Sequence, residues 1–389
     1  MGKGNTRREK GDGTIFQRKS DNMWIAKYKP EGSTKTKHLS AKTRPLVVKK
    51  LKEFKTKALQ SSSIEIVKIS IQEYMEKWFY DVKMNELKPK SLDALDCTLN
   101  YQVYPHIGEI QLGVLITDDI QAMLNNLVKK GLAYSTIKKA YDAVNSCLKL
   151  GIIKGDIVKN PCLGVSLPKN IKKKKNDIRF FTQDEIDLIC KESMSQHSNK
   201  KQVYRLGHAI IVLLYTGMRI GELHGLKWSD INFVKKTARL VDSVVLVKDR
   251  DRDEDDENTP RYKLIEQDST KTDSSERLIP LNKKAIAALK EIQKLNAKFT
   301  HVMSTSTGKI AIPRNIDRML RNILERCKIE PCGVHVLRHS FASMLFKNGV
   351  DVKTVSELLG HSDVSVTYNT YIHLIQEQRH SAVDILDDL

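Results

Sequence analysis

"RLGHAIIVLLYTGMRIGELHGLKWSDI", residues 205–231, opens with a run in which almost every side chain is apolar. A helix that is apolar all round has no face to give to water, so this segment belongs at the centre of a core. Gly217 interrupts it, and Arg219 stands just past the break. A guanidinium at the mouth of an apolar break is costly unless it meets an anion. Glu222, one turn later, is placed to hold it. Taken alone, the two read as a structural Arg–Glu pair.

Working outward, "TQDEIDLICKES" is a capped helix with acids in its first turn. Downstream, "TARLVDSVVLV" and "SSERLIPLN" read as β-runs joined by a long connection. That connection holds "DRDRDEDDEN" (249–258), with seven acids and two arginines, which reads as a solvated loop tip turned away from any polyanion. Helices resume from 283 to the end. Upstream, residues 66–169 carry helical periodicity, with Thr117 as a cap and Gly131 as a stop for "ITDDIQAMLNNLVKKG". Residues 13–40 hold three short alternating runs split by turn chemistry. "TRPLVVKKLKEFKTKAL" then predicts a helix, capped by Thr43, with Pro45 in its first turn and Val47, Leu51, Phe54 and Ala58 on one face. The expected fold is multidomain and mainly α. A small α+β module (1–62), a three-stranded sheet plus helix, precedes a helical domain (66–169). A mixed, mostly α domain with a small antiparallel sheet (177–389) follows, after the basic hinge "IKKKKN" (171–176).

The net charge is +19, and residues 1–60 hold 17 Lys and Arg against 5 Asp and Glu. Such a balance calls for a polyanion, either nucleic acid or an acidic membrane surface. Three strands and a helix at that charge fit a sheet laid into a DNA groove. Arg18, Lys27, Lys29, Lys35 and Lys37 are the candidate phosphate contacts there. Lys172, Lys173, Lys174 and Lys175 of the hinge join domains and can run along a duplex backbone. No run long and apolar enough for a membrane span is present, nor a secretory start, so the expectation is a cytoplasmic protein with no membrane partner. The six cysteines form no C-x-x-C pair, which fits free thiols in a reducing compartment. No Asp/Glu cluster with metal spacing and no Gly-rich phosphate loop appear. The expectation is therefore no metal and no other cofactor.

Four further segments carry groups able to do chemistry. Lys271 sits in the turn entering "SSERLIPL". His335 and Arg338 lie three apart in "HVLRHS" and share a helical face. His361 follows Gly360 at a helix end. Tyr368 and Tyr371 lie one turn apart in "GHSDVSVTYNTYIH" (360–373). Each has an ordinary reading as a solvated lysine, a surface helix or a packed aromatic.

As an ordered set, "TGMRIGEL", "KTDSSER", "HVLRHSFAS", "LLGHSDVSVT" and "TYIH" resemble the tyrosine recombinase (phage integrase) family. The layout of the whole chain is similar to integrases of Gram-positive conjugative transposons and phages, with an arm-type DNA-binding domain, a SAM-like core-binding domain and a catalytic domain. The resemblance implies that Arg219 and Arg338 bind the non-bridging oxygens of the scissile phosphate, with Glu222 supporting Arg219. It also implies that Lys271 protonates the leaving 5′ oxygen, His335 takes the proton of the tyrosine and His361 donates to the phosphate. Tyr371 would be the nucleophile, Tyr368 packing against the domain while Tyr371 lies nearer a movable end. The activity implied is site-specific recombination of double-stranded DNA through a 3′-phosphotyrosine, integrating and excising a mobile element. The apolar tail, with Ala382, Val383, Ile385, Leu386 and Leu389, would dock in trans and order a tetramer, with an accessory DNA-bending or excision factor as a further partner. An idle DNA-binding regulator and a type IB topoisomerase are the competing readings.

Overall fold

The computed structural model describes residues 14–18, 21–28, 36–61, 69–168, 178–252, 259–268 and 276–372. The chain divides into two compact units, Met1–Lys173 and Lys174–Leu389. The mainly helical, multidomain architecture is the one expected.

In the first unit, β1 (Thr14–Gln17), β2 (Trp24–Tyr28) and β3 (Lys37–Ala41) form an antiparallel sheet in chain order. Thr14 faces Lys27, and Tyr28 faces Lys37. Helix α1 (Arg44–Ser61) packs against β2 and β3. Ala26, Ala41, Val47 and Leu51 make a small buried core, with Ile15, Trp24 and Leu39 against it. Of the expected helix face, Val47 and Leu51 are buried, while the side chains of Phe54 and Ala58 lie outside the described residues.

The same unit holds a helical bundle. Helix α2 (Ile71–Trp78) starts on a reciprocal cap, Glu73 N donating to Ser70 Oγ at 3.2 Å and Ser70 N to Glu73 Oε2 at 2.8 Å. It widens into a π turn at Phe79–Lys83 before α3 (Met84–Glu86). Helix α4 (Pro89–Thr98) likewise passes through a π turn at Leu99–Val103 into α5 (Tyr104–Ile107). Pro105 has no N–H to give to the carbonyl four residues back, and the helix widens just before it. Neither widening was legible in the apolar periodicity. Helix α6 (Thr117–Lys129) is capped differently from expectation. Thr117 is its first residue, and the Asp119 carboxylate accepts from Ile116 N at 3.0 Å. Gly131 ends it at φ +73, as expected. Helix α7 (Tyr134–Lys154) completes the bundle and stops at Gly155, φ +81.

In the second unit, α8 (Gln183–Ser193) carries a Thr182–Glu185 capping box. Helix α9 (His208–Thr216) is the central helix foreseen, with eight of its nine residues buried. Gly217 caps it at φ +64, and a Cβ there would lie 2.3 Å from Phe341 Cδ1. Glycine is required both by the left-handed backbone and by the ring. Helix α10 (Ile220–Gly225) leads to β4 (Ile231–Asn232) and β5 (Thr237–Leu240). The run "TARLVDSVVLV" is two strands. β5 pairs with β4 and with β8 (Arg277–Pro280), whereas β6 (Asp242–Lys248) pairs with β7 (Tyr262–Asp268) in a separate hairpin. Strand β7 lies within what reads as a long connection between two β-runs. "YKLIEQD" is half charged or polar, so its pattern is weak until Ile265 faces Val245 and Leu264 faces Leu246. The described acids Asp249 and Asp251 fall at the hairpin end, both on Lys263 at 2.7 Å.

Helices α11 (Lys283–Asn296), α12 (Pro313–Arg326), α13 (His335–Lys347) and α14 (Val352–Leu359) follow, and residues 364–372 are helical. No helix among the described residues is long and apolar enough to cross a membrane.

Candidate active site

The site is organised by the carboxyl end of α14. A helix leaves its last carbonyls without intrahelical partners and negative at that end. Here three successive ones accept from three arginines. Leu358 O takes Arg277 Nε at 3.3 Å, Leu359 O takes Arg338 Nη2, and Gly360 O takes Arg219 Nη2 at 3.1 Å. Gly360 makes the turn possible at φ +65. Arg338 Nη1 also donates to Gly217 O at 2.8 Å, which ties α13 to the break after α9.

Glu222 faces the arginines from α10. Its backbone partner is Arg219 N at 2.7 Å, and Arg219 Nη1 reaches Oε1 at 2.8 Å. Arg277 grips the same carboxylate with both ends of its fork, at 3.0 and 2.9 Å. Burial pushes the Glu222 carboxyl up, but Arg277 and then Arg219 outweigh it and hold it below the ordinary range. Three guanidiniums against one carboxylate leave the cluster two positive charges in excess. Burial, then the charge of Arg219, drags Arg338 down to about 9. Such a site favours an anion, which would relieve that repulsion.

Tyr371 lies on helix 364–372, close enough to the cluster for Arg338 to act on its phenol. Its ring is only 3 % exposed and lies 5.3 Å from that of Phe346. Its hydroxyl is 2.8 Å from His339 Nδ1. Burial pushes the phenol up to about 12, against the pull of Arg338. This corrects one expectation: Tyr371 is the fully packed tyrosine, and Tyr368 is only half-buried. The reason is register, since Tyr371 falls on the side facing Ala342, Phe346, Val355 and Leu359. His361, one residue past the arginine cradle, has Nδ1 2.7 Å from Thr367 Oγ1 and is held at about 4 by burial and then by Arg338, Arg219 and Arg277. His335 opens α13, and desolvation, then Arg338 and Arg219, keep its pKa below the ordinary value. Arg219, Glu222, Arg338, His361 and Tyr371 thus form one neighbourhood in the second unit, with His335 near Arg338.

The model of the phage integrase family matches residues 179–378, and that of the family's N-terminal SAM-like domain matches residues 70–128. The chain belongs to the phage integrase family. As a member it is a tyrosine recombinase, an enzyme that cleaves and rejoins DNA. It is 29 % identical over 374 residues to a "tyrosine recombinase XerC-like" of Caldanaerobacter subterraneus subsp. tengcongensis, covering 91 % of this chain and 92 % of that one. It is 30 % identical to the tyrosine recombinase XerC of Pediococcus pentosaceus, over 67 % of this chain and 78 % of that one. Its fold is similar to that of the Tn1549 transposon integrase bound to transposon right-end DNA (TM-score 0.64, 18 % identity, 80 % of this chain and 99 % of that one). It is similar too to a lambda integrase dimer on a COC′ core site (TM-score 0.60, 16 % identity, 92 % and 93 %).

Two residues of this integrase-family site carried no role in the sequence reading. Arg277 closes the "KTDSSER" motif but reads as a strand start, and His339 reads as the neighbour of Arg338. Their signal was position inside motifs, and their role needed the third dimension. Lys271 lies outside the described residues, as do Lys29, Lys35, Lys172, Lys173, Lys174, Lys175 and the apolar tail. Of the remaining basic candidates, Arg18 is paired with Asp21 at its own turn, Lys27 sits 5.3 Å from the centre of the Phe16 ring, and Lys37 belongs to β3.

Proposed function

We propose that the protein is a site-specific recombinase that integrates and excises a mobile element, with Tyr371 as nucleophile. The observation that carries the assignment is the convergence of Arg219 and Arg338 on the α14 carboxyl end, with His361 next in the chain on Thr367 and the Tyr371 hydroxyl on His339 of α13 in the same unit. A phosphodiester carries one negative charge, and attack by a phenolate raises it to two in the transition state. The two excess positive charges of the cluster match that transition state better than the ground state. Each preorganised donor of this kind contributes about 3 kcal/mol.

In this reading Arg219 and Arg338 hold the non-bridging oxygens. His361, neutral at pH 7 with Thr367 donating to Nδ1, offers Nε2–H. The phenol proton passes to a histidine. His335 has that role by resemblance, and His339 is the imidazole already at the hydroxyl. Lys271 gives a proton to the leaving 5′ oxygen. The bond energy stays in the 3′-phosphotyrosyl link, so a second 5′ hydroxyl rejoins the strand without ATP or metal. A tetramer with the apolar tail in trans, the basic N-terminal module on separate DNA sites and an accessory bending factor complete the proposal. A second reading, recombination of the host's own chromosome, is favoured by the XerC-like name of the relative that matches nearly the whole chain.

The test is a nicked suicide duplex carrying the ends of the segment that encodes the protein, beside one carrying a chromosomal junction site. Covalent protein–DNA adduct is read on a denaturing gel. We expect adduct on the element ends with wild type and Tyr368→Phe, and none with Tyr371→Phe. Adduct lost only with Tyr368→Phe would reassign the nucleophile, and adduct only on the chromosomal site would favour the second reading.

A further inference from the structure

Arg277 has no role in the reaction just described, yet it is the most completely engaged guanidinium of the cluster. Its side chain is 10 % exposed, forks onto both oxygens of Glu222 and donates Nε to Leu358 O. Gly360 lies directly over it, and a Cβ at 360 would stand 2.6 Å from Nη1. Arg277 therefore touches both supports of Arg219, the Glu222 carboxylate and the α14 end that offers Gly360 O. A planar fork sets the angle of a carboxylate as a point charge cannot. It also balances Glu222, which would otherwise draw Arg219 inward with a full unshared charge.

We infer that Arg277 is a positioning residue for strand cleavage, holding Glu222 and the Gly360 turn so that Arg219 presents its guanidinium to the phosphate. The inference rests on the strand-cleavage reading for its kinetic test, but not for its binding test. Each of the three guanidinium nitrogens of Arg277 donates to protein.

The kinetic test uses the full chain and the nicked duplex with Arg277→Lys, Arg277→Gln, Glu222→Gln and the double variant Arg277→Gln/Glu222→Gln. The lysine variant keeps a positive charge against Glu222, and the double variant removes both charges, so each is a foldable control for Arg277→Gln, which leaves the buried carboxylate to Arg219 with one of its two arginines gone. A misplacement of this kind costs roughly 10- to 100-fold in adduct formation rate. We expect that loss for both Lys and Gln, and a double variant no slower than the slower single variant. Wild-type rate in Arg277→Lys would overturn the inference, because charge alone would then suffice. Fully multiplicative losses would overturn it too. A duplex whose scissile 5′ bridging oxygen is replaced by sulfur needs no proton on its leaving group. Restored cleavage there would place the action of Arg277 on the Lys271-bearing connection instead, and would also overturn it.

The binding test is free of DNA chemistry. Inorganic phosphate is titrated into histidine-labelled protein and followed at the His361 and His335 imidazoles by NMR. Weakening by roughly tenfold in Arg277→Lys supports the inference, and an unchanged Kd overturns it. If wild type forms no adduct while phosphate binding still depends on Arg277, the cleavage reading fails and the positioning role stands.

Discussion

Glu222 shows what a single residue contributes when it is buried among charges. At 5 % exposure it is tolerable because two arginines share it. His224, two residues on, has no such help. Its Nδ1 donates to Ile220 O at 2.8 Å, so Nε2 is a lone pair, and among the described residues it has no partner in a fully buried site. Burial holds the imidazole at about 4, well below its ordinary value near 6.5. The unfolded chain therefore binds a proton that the fold refuses. Stability from this group is complete above pH 6.5 and is lost as pH falls towards 4, by about 3 kcal/mol. Denaturant unfolding of His224→Leu between pH 4 and 7 should show a correspondingly flatter curve. An unchanged slope would assign the acid sensitivity to other groups, such as His361.

Elements meet the site through their ends. The end of α9, the start of α10, the start of β8, the start of α13 and the end of α14 supply the arginines, the acid and the carbonyls. Helix ends were legible, because Gly217 and Gly360 follow apolar runs and φ > 0 is what glycine supplies. Their depth was not, and two glycines of one helix pair separate the effects. Gly349 and Gly360 both have positive φ, but nothing among the described residues lies within 4 Å of a Cβ at 349. Gly349→Ala should cost about 1 kcal/mol, from backbone strain alone. Gly360→Ala should cost about the same or more, and should also slow adduct formation by tenfold or more because Arg277 is displaced. Equal activity in the two variants would show that the cradle adapts. Strand β7 was missed for the opposite reason, since its apolar residues gain meaning only from β6 across the ladder.

At the scale of the whole molecule the charge is the dominant fact. The excess of +19 is concentrated in the first sixty residues, where 17 basic residues face 5 acids. Contacts to phosphates release counterions, so affinity falls steeply with salt. Removal of residues 1–62 should make the slope of log K against log salt shallower by several units and weaken binding at about 0.1 M salt by tenfold or more. A slope that stays the same would mean that the module does not touch the duplex backbone, as the internal Arg18–Asp21 pair already suggests for one of its charges.

Local chemistry is what the sequence determined by itself. Apolar periodicity, caps and glycine stops marked most helices, and charge pointed to a polyanion. The ordered motifs marked Arg219, Glu222, Arg338, His361 and Tyr371 as one set. These signals are readable because each depends on neighbours within a turn or two. Only the tertiary structure decided which tyrosine is packed, that His339 rather than His335 meets its hydroxyl, and that Arg277 completes the cluster. Those facts depend on contacts across tens of residues, such as the 55 that separate Arg277 from Glu222. No periodicity encodes a contact of that kind, because it comes into being only when α10, β8 and α14 bring their ends to one place.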